Sequence, residues 1–155
     1  MLIMVLGEAW RNLGIIHFDN KKYSIEEVFG WLPENPEGYT KNHLRDLARK
    51  NPEIQLRGIF HGANVSRYSD RYDVFRKSLT CAKCGLRGTY FRIDIHKKDL
   101  DRQLYHFNLY GVNEEGQEIL ITKDHIIPKA KGGKDFFTNY QTMCICCNKA
   151  KGDKI

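Results

Sequence analysis

Two pairs of cysteines constrain the fold of this chain more than any other feature of its sequence. Cys81 and Cys84 form one Cys-x-x-Cys pair, and Cys144 and Cys147 form a second. Two residues between thiolates allow both sulfur atoms to bind one tetrahedral zinc ion, at about 2.3 Å each. Because four thiolates leave no open coordination position, the pattern predicts a structural zinc site that joins two distant segments of the chain.

The separation and number of the cysteines leave alternatives for their roles. Sixty positions separate Cys84 from Cys144, more than in a compact zinc ribbon, so the segment between them is expected to fold as an insert. Cys146 falls outside the two pairs and is expected to be a buried or spare thiol, with competition for the metal as the alternative. Unrelated cysteines, or one redox-active pair, are the competing interpretations, and two pairs in so short a chain favour zinc over both.

Length and charge limit the classes of protein to which this chain can belong. A chain of 155 residues fits one domain, or one domain with a small appendage. Its formal net charge of +6 favours a polyanionic partner, either nucleic acid or an anionic membrane. The sequence has no apolar stretch long enough to span a bilayer, and the apolar Met1–Leu6 is too short for the core of a signal peptide, so it is interpreted as a short strand. We therefore expect a cytoplasmic protein without membrane binding, in which reduced thiols bind metal rather than form disulfides.

Capping and turn signals divide the chain into short elements. Ser24 and Thr40 are each placed to cap a helix, and Asn51-Pro52 ends the second of these. The predicted helices run from Ser24 to near Leu32, from Thr40 to Asn51, from Tyr68 to Ser78 and from Cys144 to Gly152. Strands are predicted over 54–60, 89–95, 104–110 and 118–122, with a strand or helix entry over 139–143. The turn at 113–116 predicts a hairpin, and Gly58–Ser66 is interpreted as a linker.

An adjacent acid and histidine, Asp124 and His125, are the first candidates for catalysis. Hydrolysis of a phosphodiester needs an activated water, neutralised phosphate charge and help for the leaving oxygen. A carboxylate can hold a divalent metal that supplies the last two, and an imidazole can take the proton from water. Neighbours in an extended strand point to opposite faces, so the two act together only if the backbone bends or the groove is reached from both sides. An isolated Asp-His pair most often lies in a surface turn, so the surrounding residues decide between a turn and a catalytic site.

The residues around this pair form a longer pattern. Its parts are Asp124-His125-Ile126-Ile127-Pro128, Gly132-Gly133, Asn139, Cys144-x-x-Cys147-Asn148 and Lys151-Gly152, together with the first cysteine pair after a basic helix. This pattern, from Cys81 to Gly152, resembles the HNH endonuclease family. The resemblance covers about half of the chain and implies a ββα-metal fold, stapled here by the four cysteines.

The resemblance also implies a role for each matching residue. His125 matches the general base, and Asp124 matches the carboxylate ligand of the catalytic metal. Asn139 matches the middle asparagine, which hydrogen-bonds backbone groups and holds the loop that carries the base. Asn148 matches the third position, where the family has a His or Asn metal ligand, so this chain is of the H-N-N subtype.

The ligand at the third position indicates the catalytic metal. An asparagine oxygen is a hard, neutral ligand suited to Mg²⁺ or Mn²⁺, whereas a histidine would also accept softer metals. We therefore expect Mg²⁺ or Mn²⁺ at Asp124 and Asn148, and zinc at the cysteines. The main departure from the family pattern is the long insert between Cys84 and Asp124, and the sequence assigns no role to residues 86–118.

Lysines surround the predicted site. Residues 121–155 carry seven lysines and three aspartates, which is most of the positive surplus of the chain. Lysines near the site would hold phosphates without sequence preference, and the candidates are Lys123, Lys129, Lys131 and Lys151. Taken singly, each is better explained as a solvated surface charge.

The first 66 residues allow two interpretations. Their two short helices and a strand would form a small helix-turn-helix or winged-helix reader, with Asn42, His43, Arg45 and Arg49 facing DNA. The alternative, which we slightly favour, is an extension that packs against and supports the nuclease. We accordingly predict an α+β protein with an N-terminal extension over 1–66 and an HNH nuclease domain over 67–155.

These expectations lead to one function and two rivals. The leading hypothesis is a metal-dependent endonuclease that hydrolyses DNA phosphodiester bonds, by nicking or by double-strand cleavage. A non-catalytic, zinc-dependent nucleic-acid-binding module is the first rival, but a mere binder does not need Asp124, His125 and Asn148. A structural zinc scaffold for a protein partner is the second, and it predicts no affinity for DNA.

Overall fold

Helices and antiparallel strands together make up the described part of the protein. The computed structural model describes residues 13–155, so the strand predicted over Met1–Leu6 lies outside the described residues. Within 13–155 the expected mixture of helix and strand is confirmed. None of the helices in this range is both long and apolar enough to cross a bilayer.

Within residues 13–155, four α-helices form close to the four that the sequence predicts. They are α1 (Ile25–Trp31), α2 (Lys41–Lys50), α3 (Asp70–Lys77) and α4 (Ile145–Lys151). The Ser24 hydroxyl accepts a hydrogen bond from the Glu27 amide at 3.1 Å, and the Thr40 hydroxyl accepts one from the His43 amide at 3.2 Å. Each bond satisfies an amide that a helix N-terminus leaves without a partner, so both predicted caps are confirmed.

The described residues also contain eight strands, which form two antiparallel sheets. They are β1 (Ile15–His17), β2 (Tyr23–Ser24), β3 (Arg57–Phe60), β4 (Ala63–Ser66), β5 (Tyr90–His96), β6 (His106–Val112), β7 (Glu118–His125) and β8 (Tyr140–Cys144). The larger sheet has the order β1, β5, β6, β7, β8, and β2 also pairs with β5. The hairpin predicted around 113–116 is confirmed as the β6–β7 pair, while the strand predicted from Ile54 begins only at Arg57.

The larger sheet joins the two ends of the described chain. Strand β5 pairs with β1 through Ile16 and Ile95, and with β2 through Tyr23 and Phe91. Asp94 of β5 accepts hydrogen bonds from His17 of β1 and from Asn108 of β6. The predicted boundary at residue 66 therefore falls between segments that contribute to one sheet.

A single large core covers one face of this sheet. Phe91 and Phe107 project from β5 and β6 and are fully buried, together with Val28 of α1 and Phe75 of α3. Burial of each such side chain stabilises the fold by about 1.5–3 kcal/mol. The core thus fixes α1 and α3 against the strands that lead to the predicted site.

The segment interpreted as a linker is instead a partly buried β-hairpin, so that prediction is wrong. Strands β3 and β4 pair across His61-Gly62, which both have positive φ, as a two-residue hairpin turn of type I′ requires. The side chain of Val65 is fully buried. Tyr105 exchanges backbone hydrogen bonds of 2.9 Å with Asn64 and Ser66, so the hairpin is attached to the insert between the cysteine pairs.

Candidate metal centres and active site

The two cysteine pairs meet in space. The sulfur atoms of Cys81, Cys84, Cys144 and Cys147 all lie within 4.8 Å of one another. The sulfurs of Cys84 and Cys144 are 3.8 Å apart. This spacing matches the edge of a tetrahedron with bonds of about 2.3 Å, which is roughly 3.8 Å. The four thiols therefore fit a zinc ion in both donor type and spacing.

Local backbone geometry positions each pair. Gly85 has φ +82° and its amide donates to the Cys81 carbonyl at 3.0 Å, which closes the tight turn after the first pair. The Ala82 amide donates to the Thr142 carbonyl of β8 at 2.8 Å, and this contact holds the first pair beside the second. Cys144 ends β8 and caps α4, since its sulfur accepts from the Cys147 amide at 3.4 Å.

The environment of Cys81 favours the form that binds metal. Burial raises the pKa of the Cys81 thiol, but hydrogen bonds from backbone amides, that of Cys84 foremost, outweigh burial and lower the pKa to about 6. A thiol with that pKa is largely thiolate at neutral pH. Cys146, by contrast, is exposed and lies outside the cluster, as a spare thiol would.

The Asp-His pair ends strand β7. Asp124 is the register partner of Gln141, and His125 is the register partner of Tyr140, both on β8. As neighbours in a strand, the two side chains point to opposite faces of the sheet. Because His125 is the last residue of β7, both side chains nevertheless border the same strand end.

Asp124 is buried beneath α4 in contact with a positive charge. Its carboxylate lies 3.1 Å from the Lys151 ammonium and accepts a hydrogen bond from the Gln141 amide at 2.9 Å. Lys151 also donates to the His125 carbonyl at 2.7 Å. Buried charges persist only when they are paired. The carboxylate therefore sits where a cation is already stabilised.

Asn148 lies on the same side of β7 as Asp124. Its amide nitrogen donates to the Thr122 hydroxyl at 2.9 Å. Thr122 and Asp124 alternate along the strand and share one face, while Asn148 and Lys151 are three positions apart and share one face of α4. The helix thus runs along the strand with Asn148 over Thr122 and Lys151 over Asp124.

Asn139 holds the loop between β7 and β8. Its side-chain oxygen accepts from the Ile127 amide at 2.9 Å, and its side-chain nitrogen donates to the carbonyls of Ile127 at 3.0 Å and Lys134 at 2.9 Å. Gly133 packs so closely against this loop that a Cβ atom there would lie 1.7 Å from the Ile127 carbonyl oxygen. A side chain at this position would therefore displace the loop that follows His125.

A comparison with known protein families finds a match in the segment that contains these candidate site residues. Residues 113–155 match the model of a family described as HNH endonuclease. The match confirms the resemblance to HNH endonucleases. Comparison with curated proteins and with solved structures finds no match. We call residues 113–155 the HNH segment; it includes Asp124, His125, Asn139, Asn148 and the second cysteine pair.

Asp135 is a residue of the HNH segment to which the sequence analysis gave no role. Its carboxylate lies 2.8 Å from Nε2 of His125 and 3.0 Å from the Lys129 ammonium. The hydrogen bond to His125, followed by that to Lys129, holds the pKa of the Asp135 carboxyl below its ordinary value. The one available signal was its position two residues after Gly132-Gly133, but sequence spacing does not reveal that the loop folds back onto His125.

The four lysines proposed to bind phosphate have different surroundings. Lys131 is exposed, and Lys129 is exposed beside Asp135. Lys123 lies over the ring of Tyr140 at 4.1 Å and 3.6 Å from the carboxylate of Asp70. Lys151 has the buried partners described above, so its ammonium faces Asp124 rather than solvent.

The contacts of Asn139 lead to a first prediction. Asn139→Ala removes three hydrogen bonds from the loop, and each contributes about 0.5–1.5 kcal/mol. We expect a loss of about 1.5–4.5 kcal/mol in the free energy of unfolding, together with faster hydrogen exchange at the Ile127 amide. Denaturant titration and amide exchange measure the two effects. Thr138→Ala, an exposed neighbour, is the control; equal exchange at Ile127 in both variants would contradict this role.

Proposed function

We propose that this protein is a metal-dependent endonuclease that hydrolyses phosphodiester bonds of DNA. In this proposal β7, β8 and α4 form the ββα-metal unit of an HNH nuclease domain over 67–155, and residues 1–66 are an N-terminal extension. Asp124 and Asn148 hold the catalytic metal, and His125 is the general base. The family match over 113–155 supports the class of activity, and the contacts around α4 support the assignment of residues.

One observation carries the proposal. Helix α4 brings Asn148 and a cation-binding contact to the face of β7 that presents Asp124, through the Asn148–Thr122 bond of 2.9 Å and the Lys151–Asp124 pair of 3.1 Å. A surface turn would not bury an aspartate against a lysine of a helix. The carboxylate of Asp124 and the amide of Asn148 thus share one face of β7, as two ligands of one metal must.

The donor set fits Mg²⁺ or Mn²⁺. A carboxylate oxygen and an amide oxygen are the hard ligands that these cations prefer, and Mg²⁺ keeps several waters when proteins supply few ligands. Asn148 donates through its nitrogen to Thr122, which leaves its oxygen for a cation. The Lys151 ammonium already occupies the neighbourhood of Asp124, so that carboxylate suits a positive partner.

His125 can act as the base because of its contact with Asp135. An ionised carboxylate only accepts hydrogen bonds, so the ring proton of a neutral His125 resides on Nε2 and leaves Nδ1 to accept a proton from water. The water oxygen then bonds to phosphorus as the bond to the leaving oxygen breaks. A divalent cation held by Asp124 and Asn148 would neutralise charge on the phosphate and on that leaving oxygen. The ring of Tyr140, at 5.1 Å between centroids, limits rotation of the imidazole.

Incubation with supercoiled plasmid tests the proposal directly. We expect Mg²⁺-dependent conversion of the plasmid to nicked or linear DNA, and the ratio of these products reports whether one or both strands are cut. Reaction without added divalent metal and without chelator is the control, because a chelator of Mg²⁺ or Mn²⁺ would bind zinc more tightly and strip the cysteine site. Intact plasmid with Mg²⁺ and with Mn²⁺ would sink the nuclease proposal and leave the binding module.

The two metal ligands lead to a second prediction. Asn148→Ala should weaken Mg²⁺ binding, so that cleavage falls and higher Mg²⁺ partly restores it, whereas Asn148→Asp keeps an oxygen ligand and part of the activity. The measurement is the Mg²⁺ concentration at half-maximal cleavage. Lys149→Ala on the same helix is exposed and serves as the control. A Mg²⁺ requirement equal to that of the wild type in Asn148→Ala would remove Asn148 from the site.

For the acidic ligand, Asp124→Asn tests metal binding more cleanly than Asp124→Ala. Asp124→Ala would leave the buried Lys151 ammonium without any partner, and such loss of one member of a buried pair costs about 3–5 kcal/mol. Asparagine keeps an acceptor for Lys151 but removes the only charged ligand. We expect Asp124→Asn to remain folded, to need more Mg²⁺ than Asn148→Ala, and to cut poorly.

A further inference from the structure

Three adjoining hollows lie on the side of the molecule formed by α2, α3 and the insert between the cysteine pairs. Their volumes are about 280, 230 and 430 Å³. The first and second share Lys41, the second and third share Arg71 and Lys123, and the first and third share His106. We call them together the basic groove, and its cationic residues are Lys41, Arg45, Arg57, Arg71, Arg102 and Lys123.

Positive charge dominates the first hollow. Four cations line it, namely Lys41, Arg45, Arg57 and Arg102, and all four side chains belong to exposed residues. Asp99 is the one carboxylate among the described lining residues, and it lies 4.0 Å from Arg102 in a contact exposed to solvent. Exposed ion pairs of this kind contribute little, so they yield to a competing anion.

The same residues influence one another electrostatically. Although Lys41 is largely exposed, partial burial of its side chain in the hollow lowers its pKa, and the positive charge of Arg45 lowers it further. Burial, followed by the charges of Arg71 and Lys41, lowers the pKa of His106 to about 4. Like charges that depress one another's protonation create a local positive field, and such a field attracts an anion.

The basic groove leads to the proposed cleavage site. Its second and third hollows are lined by Lys123, which shares a face of β7 with His125 and, like it, contacts the ring of Tyr140. The third hollow is also lined by Thr122, which accepts the hydrogen bond from Asn148.

Asp70, at an exposed position 3.6 Å from Lys123, offsets part of this charge. Asp73 lines the second hollow and Asp94 and Asp99 line the third, so the excess of cations is greatest in the first hollow. A chain of phosphates along the groove would therefore run from α2 to the end of β7.

We propose that the basic groove binds the phosphodiester backbone of the DNA substrate away from the scissile bond. This inference rests on the proposed function, and it gives roles to two segments outside the HNH segment. Helix α2 of the extension supplies Lys41 and Arg45, and the turn over 97–102 in the insert supplies Arg102. Contacts of this kind position a strand without reading its sequence.

The charges of α2 provide a matched test. Lys41→Gln with Arg45→Gln removes two charges that line the groove, whereas Arg49→Gln with Lys50→Gln removes two exposed charges of the same helix that do not. Binding of the full-length variants to a short DNA duplex is measured by fluorescence anisotropy at several salt concentrations, without divalent metal so that no strand is cut. Each phosphate contact contributes about 0.9 to the slope of log association constant against log salt concentration.

We expect the slope to fall by about 1.8 in the Lys41/Arg45 variant and to change little in the Arg49/Lys50 control. Equal losses in both variants would mean that affinity follows net charge alone, and an unchanged slope in the first would mean that the groove makes no contact; either result overturns the inference. Plasmid cleavage by the same variants reports separately on the nuclease. If the Lys41/Arg45 variant cuts plasmid and binds DNA as the wild type does, the groove does not bind the substrate, but the proposed function stands. If the wild-type protein fails to cut plasmid, the proposed function itself is overturned.

Discussion

His125→Ala should cut plasmid DNA more slowly than the wild type by a factor of at least roughly 10²–10⁴, the usual consequence of losing a general base. Its affinity for DNA and for Mg²⁺ should stay nearly normal, because the imidazole contacts Asp135 and Tyr140 rather than the proposed metal ligands. The combination of slow cleavage with retained binding separates a base from a ligand. Asp124→Asn, by comparison, should lose affinity for the metal as well as rate.

A second histidine and the pH profile make this test specific. His43→Ala changes an exposed histidine that stacks on Tyr39, and it should cut at the wild-type rate. Asp135→Asn should slow cleavage without abolishing it, because the imidazole loses the carboxylate that holds its proton on Nε2. Cleavage by His125→Ala at the wild-type rate over roughly pH 6 to 9 would remove His125 as the general base while leaving the nuclease activity itself in place.

Cys81→Ser should lose both the zinc and much of the fold. Cys81 is buried, and the Ala82 amide beside it donates a hydrogen bond to the Thr142 carbonyl of β8. The zinc would therefore join the segment before β5 to helix α4. Binding energies of structural zinc are about 10–16 kcal/mol, comparable with the entire stability of a small domain at about 5–15 kcal/mol. Loss of one thiolate therefore removes a contribution that hydrophobic packing cannot replace.

Cys146→Ser is the natural control for this substitution. It makes the same chemical change in the same chain, but at an exposed thiol outside the cluster, so zinc content and stability should change little. Metal analysis should find about one equivalent of zinc in the wild type and in Cys146→Ser, and far less in Cys81→Ser or Cys147→Ser. A wild-type protein purified without zinc would refute the structural role of the four cysteines.

Features that depend on neighbouring residues in the chain could be predicted from the sequence. Ser24 and Thr40 cap helices because the amides they satisfy lie three residues away. The β6–β7 hairpin follows from its turn, and the Cys-x-x-Cys spacing brings two sulfurs together within a single knuckle. In each case the interacting atoms are held close by a few bonds, so the residue types and their spacing largely determine the geometry.

Features that join distant segments were missed or mistaken. The hairpin over 57–66 looked like a linker because its glycines and polar residues resemble a loop, and its burial depends on pairing with Tyr105. The attachment of β1 and β2 to β5 could not be read from either segment, since each strand edge accepts many partners. Both features depend on which backbone groups pair with each other. Packing of the hydrophobic core determines that pairing for the chain as a whole.

The sequence by itself determined the chemical inventory of this protein: four thiols for zinc, an Asp-His pair followed by two asparagines, and an excess of lysine around them. The tertiary structure alone decided which of these groups touch. Lys151 was predicted to bind DNA phosphates but contacts Asp124, and Asp135, which had no predicted role, contacts His125. Ten positions separate Asp135 from His125 and twenty-seven separate Lys151 from Asp124, so their contacts depend on how a loop folds back and how a helix lies on a strand. Those placements follow from packing and hydrogen bonding over the whole sheet, which no local pattern of residues encodes.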